Sequence, residues 1–335
     1  MIYILGAGIA GLTLAASLEK RSRPWRIFEK AGKVGEEASG KNAGILRTYE
    51  TDPVIAHFAR QSLGYYRAAE PSYSECGIVL KPWEVDYAAK PAASRKFSHG
   101  RFSGMFLPEN GTLEPMQLLT RLVSAQVKYG GISPGEEVRL EAGAEHVTLL
   151  STGTSKTELS PGDCVVVACG EGAQAIAQSL GRAPGLVAHR RTLFEFKNPL
   201  AADGPVEWDE ESGVYFRPSG GGETLTATAG EQVPVSPQDG AAEDEEKLMA
   251  ILLREFPFLS RDTLVSTRTC KRLTPLDNRP FAGRDGVLKN LFWFTGLGGR
   301  GISIAPAVAE VLADLLCGKD VASELAPFAP DRMEV

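Results

Sequence analysis

Two glycine-rich segments at opposite ends of the chain constrain its fold more than any other feature. The first, Gly6-Ala7-Gly8-Ile9-Ala10-Gly11, runs directly out of the apolar stretch Ile2-Tyr3-Ile4-Leu5. The second, Gly298-Gly299-Arg300-Gly301, lies between Leu291-Phe292-Trp293-Phe294 and the helix-like run from Ile302 to Leu316. Each reads as strand, glycine turn, helix, which aims helix N-terminal N–H groups at an anion. The fold class this implies is α/β, built on a Rossmann-like nucleotide-binding domain.

The N-terminal motif has the context a dinucleotide fingerprint needs. A helix follows with Ile9, Leu12, Ala15, Ala16 and Leu18 at helical spacing. A second short strand, Trp25 to Phe28, then ends at Glu29, about twenty residues on, where a carboxylate can hold both ribose hydroxyls. Gly6 permits the tight turn, Gly8 lets the backbone approach phosphate, and Gly11 lets helix and strand pack closely. Lys30 argues against a second role for the site, and the acid at Glu29 itself argues against NADP. One phosphate-binding turn leaves NAD and FAD open. A second, able to address another part of the same large cofactor, favours FAD.

The chain has 335 residues, a formal charge of −6 and dispersed lysines and arginines, so it carries no electrostatic footprint for nucleic acid. Its five cysteines, Cys76, Cys164, Cys169, Cys270 and Cys317, lack CxxC spacing, which indicates neither a disulfide framework nor zinc. The four histidines, His57, His99, His146 and His189, are scattered and point to no metal. The apolar N-terminus lacks a basic segment before it, and no other stretch is long and apolar enough to span a bilayer. A reducing, cytoplasmic setting is expected.

Between the two glycine turns the texture changes along the chain. Gly32 to Gly44 reads as a loop. Its core, Ala38-Ser39-Gly40-Lys41-Asn42-Ala43-Gly44, suits either a ligand-contacting backbone or an ordinary surface loop. Helical texture covers Pro53 to Ala69, and strand-like runs cover Cys76 to Val85 and Phe102 to Leu107. A helix is expected from Glu114 to Tyr129, with Leu118, Leu119, Leu122, Val123 and Val127 on one side and Gly130-Gly131 stopping it. Short paired strands follow at 138–140 and 146–150. Asp163 to Cys169 reads as a strand buried on both faces, turning at Gly170 into a helix over 173–180.

From 187 to 229 the texture is antiparallel, with strands at 192–197, 213–217 and 223–229. Glu243 to Glu246 open a further helix, and a strand from Leu264 to Arg272 leads to a turn at Asp277-Asn278-Arg279-Pro280. The pattern implies a discontinuous nucleotide-binding domain (1–70, 112–185 and 273–335) with an inserted antiparallel α+β substrate domain (71–111 and 186–272).

These segments, in this order, resemble the FAD-dependent amino acid oxidase superfamily, which includes glycine oxidase, sarcosine oxidase and D-amino-acid dehydrogenases. The residues that carry the resemblance are the opening fingerprint with Glu29, the 38–44 loop, and Val165 to Gly170. Arg272 with Pro275, Asp277 and Pro280, and then Gly298 to Ile302, complete it. The middle region, with His189-Arg190-Arg191 and Tyr215-Phe216-Arg217-Pro218, is similar to the D-arginine dehydrogenase type. The resemblance implies a flavin held between the domains, its N5 receiving hydride from the CH–NH bond of a small amino acid or amine. The imino acid then hydrolyses, and oxygen or a quinone reoxidises the flavin. It implies FAD contacts from Gly6, Gly8, Ile9, Ala10, Gly11, Glu29, Lys30, Ser39, Asn42, Ala43 and Gly44. Val138, Ala168 and Gly170 join them, and Gly298, Gly299, Arg300, Gly301, Ile302 and Ser303 meet the flavin ring.

The substrate side of the expected site has three residues, Arg272, Tyr215 and Arg300. Strand alternation puts Arg268, Cys270 and Arg272 on one face and Lys271 on the other. An inward guanidinium needs an anion, so Arg272 is expected to anchor the substrate carboxylate, as its position in the family also implies. Tyr215 can orient amine or carboxylate. Arg300 departs from the family, where histidine or tyrosine is common, and Cys169 replaces a common alanine. Cys270 has the spacing at which sarcosine-oxidase types attach flavin covalently, but it equally fits a plain buried thiol. Rival readings are a 2-hydroxy-acid dehydrogenase on the same scaffold, a flavin-binding subunit of a larger oxidase, and, least favoured, an NAD-dependent dehydrogenase.

Overall fold

The opening strand, Ile2–Leu5, lies at the centre of a six-stranded sheet whose order is Phe281–Arg284, Leu291–Thr295, Cys164–Val167, Ile2–Leu5, Trp25–Glu29, Gly130–Pro134. All neighbours are parallel except the edge pair formed by the first two. Ile2, Ile4, Val165, Val166, Val167 and Leu291 to Phe294 are buried, as central strands covered on both faces must be. A separate three-stranded antiparallel sheet combines Arg139–Ala142, Val147–Ser151 and Lys156–Glu158. This computed structural model describes residues 1–81, 95–99, 102–125, 128–182, 185–199, 204–229, 233–234 and 241–333.

The chain divides into two compact units. The first comprises Met1–Asn42, Pro115–Ala188 and Lys271–Val335; the second comprises Ala43–Glu114 and His189–Cys270. The Rossmann-like sheet belongs to the first unit. Residues 43–70, expected with the nucleotide-binding part, fall in the second. There Ile45–Leu46 pairs with Gly111–Thr112, and Ala43, Ile45 and Tyr49 join the core of the second sheet. That sheet has the order Val233–Pro234, Leu186–Lys197, Thr224–Thr228, Tyr215–Ser219, Val206–Asp209, Ile78–Lys81, Phe102–Leu107, Arg95–His99, with Leu264–Pro275 also paired to Leu186–Lys197. Neighbours along this order are antiparallel except for the parallel pair Val206–Asp209 and Ile78–Lys81.

Two local expectations are corrected. The helix expected to reach Tyr129 is Pro115–Ser124, and Val127 lies outside the described residues. Gly130 and Gly131 do not stop a helix but begin the edge strand Gly130–Pro134. Glycine is required at 130 because a Cβ there would fall 2.2 Å from the Trp25 ring. The strand expected over 76–85 is Ile78–Lys81, and residues 82–85 lie outside the described residues. Val206–Asp209 was not expected as a strand.

Inside the first unit, the helix Ile9–Lys20 packs beside the closing helix Gly301–Leu316. Arg21 donates from Nε to Asp314 at 2.6 Å and from Nη1 to Glu310 at 2.8 Å, and Lys20 reaches Glu310 at 2.7 Å. These pairs draw the Glu310 and Asp314 carboxyls below their usual range, against the opposing effect of burial. They fix the C-terminal half of the first helix against the last.

Candidate active site

The first glycine turn is built by close backbone packing. Gly6 has φ +108°, and a Cβ there would lie 2.6 Å from Cys169 Cα and 2.7 Å from the Ala168 carbonyl oxygen. A Cβ on Gly11 would fall 2.0 Å from the Gly6 carbonyl, so neither position accepts a larger residue. Ala168 and Gly170 (φ +52°) therefore stand beside the turn, at the end of the Cys164–Val167 strand. Glu29, at the end of its strand, accepts the Ala7 N–H at 2.8 Å and the Ala31 N–H at 2.9 Å. The Ser39 hydroxyl accepts the Ile9 N–H at 3.0 Å and lies 2.9 Å from where a Gly8 Cβ would be. Val138 shares a core cluster with Leu5 and Phe28, while Lys30 is exposed.

The second glycine turn meets the first. Gly298 and Gly299 take φ +56° and +90°, and Gly301 opens the closing helix with Arg300 as its N-cap. A Cβ on Gly301 would stand 2.9 Å from Ile9 Cγ2. Two helix N-termini, those of Ile9–Lys20 and Gly301–Leu316, thus converge within one unit, concentrating positive partial charge there. Ile302 and Ser303 are buried in the first turn of the closing helix. Arg300 turns its Nη1 toward the Asn278 carbonyl at 3.3 Å, beside Gly298.

Three side chains stand near this turn. Thr274 and Thr295 are buried, and each hydroxyl lacks a hydrogen-bond partner; Thr274 Oγ1 would be 3.2 Å from a Gly298 Cβ. The Arg272 guanidinium lies against Gly299, where a Cβ would meet Nη1 at 2.8 Å and Cζ at 3.0 Å. Lys271, on the opposite face of the strand, pairs with Glu171 at 2.6 Å. Among the described residues Arg272 makes no ion pair, so its charge is available to a ligand. Burial pushes the Cys169 thiol up to about 12, which keeps it neutral and unreactive.

Of the remaining expected residues, all but Asn42 lie in the second unit. Gly44 (φ +71°) accepts the Leu113 N–H at 2.8 Å, and Ala43 is buried in the core of the second sheet. Asn42 ends the first unit's opening segment. Tyr215 is buried in that same core rather than standing open, its ring 4.6 Å from the Trp208 ring and 5.5 Å from Arg191 Cζ. Arg47 lies over the Trp208 ring at 4.7 Å and pairs with Glu50 at 2.9 Å and with Glu210. Cys270 is buried. A surface cavity of about 420 Å³ in the first unit, lined by residues such as Leu140, Arg182 and Leu288, includes none of the expected site residues.

A parallel nucleotide-binding sheet with two converging glycine turns defines a dinucleotide-dependent enzyme fold. Residues 1–315 match the family model described as DAO, FAD dependent oxidoreductase, and the chain belongs to that family. It is 28% identical to a tRNA 5-methylaminomethyl-2-thiouridine biosynthesis bifunctional protein MnmC of Vibrio campbellii, covering 97% of this chain and 58% of that protein. The chain thus spans little more than half the length of the curated relatives it matches first. Its fold is that of glycine oxidase from Geobacillus kaustophilus (TM-score 0.83, 20% identity, 99% and 98% of the two chains). L-proline dehydrogenase from P. horikoshii is equally similar in fold (TM-score 0.85, 16% identity, 99% and 96%).

The family's cofactor is FAD, and the local structure suits it. Gly8 is the one residue of the 6–11 turn that is not buried, Glu29 stands at the strand end, and two buried threonine hydroxyls lack hydrogen-bond partners. Thr274 and Thr295 were not singled out from the sequence, since a threonine in an apolar strand carries no signal of an unmade hydrogen bond. Among the described residues no group of histidine, cysteine, aspartate or glutamate is arranged to hold a metal. No described helix is long and apolar enough to cross a membrane.

Proposed function

We propose that this chain oxidises the CH–NH bond of a small amino acid or of a primary or secondary amine. The observation that carries the reading is Arg272, a cation without an ion pair among the described residues, pressed against Gly299 of the second glycine turn. A planar carboxylate is the natural partner of such a guanidinium, because two parallel N–H···O bonds fit its fork. Anchoring one end of the substrate fixes the orientation of the adjacent carbon and so lowers the entropic part of the barrier.

FAD would be held by the first glycine turn, with Glu29 on the adenosine ribose, and by Gly298 to Ser303 at the flavin end. When bound, it supplies the two-electron acceptor that no side chain of this protein offers. The N-terminus of the closing helix favours negative charge near it. Arg300 and Tyr215 are assigned as further substrate-positioning residues. Tyr215 packs against Trp208 and Arg191, which restricts its ring.

Product analysis tests this reading. Turnover of an amino acid should release the oxo acid together with one equivalent of ammonia or amine. Oxidation of 2-hydroxy acids without nitrogen release would replace it with the hydroxy-acid reading, and a flavin-loaded chain inert toward both classes would point to a carrier subunit. A second reading follows from the similarity to MnmC over 97% of the chain: the oxidised amine is borne on a modified uridine rather than on a free amino acid. Oxidative cleavage of the C–N bond in such a nucleoside, giving a carbonyl product and an amine while free amino acids are left untouched, would select it.

A further inference from the structure

The second sheet has two unlike faces. On one, Phe194, Phe196, Phe216 and Leu225 pack with Leu252 and Phe256, which belong to or follow the helix Ala241–Glu255. Strand alternation sends Arg217, Ser219, Thr226 and Thr228 to the other face, and all four are buried. Thr226 is in register with Arg217 on one side and Glu195 on the other. Glu195 accepts a hydrogen bond from the Ser266 hydroxyl at 2.9 Å. That contact extends the polar row to the strand Leu264–Pro275, where Arg268 lies two residues further on the same face.

Glu195 stands in this row and Glu114 reaches Arg217, yet both arginines keep a buried donor unmade. Arg217 is 3% exposed, and its two Nη atoms share a single oxygen of Glu114, at 3.3 and 3.2 Å, while the Glu114 side chain is 41% exposed. Arg217 Nε is buried without a partner, and so is Arg268 Nε. Arg268 makes no ion pair among the described residues. Burial draws the Arg217 pKa down; the Glu114 pair opposes this, and the charge of neighbouring Arg268 adds to the fall. Two guanidinium groups on one face of this sheet, each with a buried Nε donor unmade, are costly unless a further acceptor joins them.

We propose that Arg217 and Arg268 form a binding site, within the second unit, for a further anionic group of the substrate, a carboxylate or a phosphate. The site takes a substrate with an acidic arm beyond the reacting amine. It rests on the amine-oxidation reading for the word substrate, but not for the binding of the anion. Paired arginines read planar or tetrahedral oxyanions bidentately, and a lysine or glutamine in their place does not.

The test uses the flavin-loaded protein and three probes that share one amine and one carboxylate. These are sarcosine, iminodiacetate and N-(phosphonomethyl)glycine, the last two adding a carboxylate or a phosphonate. The wild type is expected to favour one acidic probe over sarcosine in kcat/KM by about tenfold or more, and the favoured probe names the oxyanion. Arg268→Gln should reduce that ratio by about tenfold or more, and Arg217→Lys, which keeps the charge in the core, should reduce it in the same direction. Equal kcat/KM for all three probes, or a preference unchanged in Arg268→Gln, would overturn the proposal while leaving amine oxidation intact. If no probe is turned over, calorimetric titration with the two acidic probes decides. Binding weakened in Arg268→Gln supports the site, and absent or unaltered binding rejects it.

Discussion

Gly301 and Ile9 touch: a Cβ added to Gly301 would stand 2.9 Å from Ile9 Cγ2. The contact joins two glycine turns from opposite ends of the chain, and the ion pairs of Arg21 with Glu310 and Asp314 secure the same two helices further along. Gly301→Ala forces the β-branched Ile9 to move, so it should destabilise the protein by about 1–3 kcal/mol and weaken flavin retention. Ile9→Ala in the same chain should restore part of that loss, read as a favourable coupling in a double-mutant cycle by denaturant unfolding. Strictly additive effects would show that the contact is not tight.

Glu29 gathers the Ala7 and Ala31 N–H groups at the end of its strand. Replacing it with alanine removes a charged acceptor beside the nucleotide turn, so Glu29→Ala should weaken FAD binding by about tenfold or more, measured by dialysis against apoprotein. Full flavin content after exhaustive dialysis would remove Glu29 from the ribose site.

Glu207 sits in the second sheet in register with Val79 and Phe216, with one carboxyl oxygen unpartnered. Burial pushes its carboxyl up to about 8. Between the ordinary glutamate range and that value the unfolded chain has lost the proton and the folded chain still holds it. The folded state then binds more protons, so this group's contribution to stability falls as pH rises, by up to about 1.4 kcal/mol per unit, and levels off above about 8. Glu207→Gln lacks that fall. Unfolding free energies of the two proteins should converge near pH 4.5 and diverge toward pH 8 in favour of the variant; parallel curves would mean that Glu207 is ionised in the fold.

Much of the first unit was legible because its signals are local. Gly6 to Gly11, Glu29 and the valine run at 165–167 state strand, turn and helix in consecutive residues, and the sheet places them as that grammar requires. The strand Gly130–Pro134 was not legible, since its glycines are demanded by a Trp25 ring distant in sequence. Val206–Asp209 was hidden because four residues of apolar and acidic alternation beside an acidic turn give too short a strand signal. Residues 43–70 group with the second sheet, which helix texture alone does not reveal, since it does not say which sheet a helix and its neighbours join. Of the candidate site, the motif residues were visible, but Thr274 and Thr295 became informative only once their hydroxyls were seen without partners.

Arg272 lies against Gly299 while its neighbour Lys271 is taken by Glu171. Arg272→Lys keeps a cation but loses the fork, so kcat/KM for a carboxylate substrate should drop by about 2–5 kcal/mol in transition-state terms, with flavin still bound. A decarboxylated amine analogue should lose far less. Equal losses for the acid and the analogue would assign Arg272 a structural role instead.

Anaerobic mixing of the flavin-loaded protein with amino acid and amine substrates tests amine oxidation most directly. The account predicts that at least one compound bearing a CH–NH bond beside a carboxylate bleaches the yellow absorbance stoichiometrically, in the absence of any other protein. Bleaching by 2-hydroxy acids but by no amine, or a colour that no amine discharges, would contradict it.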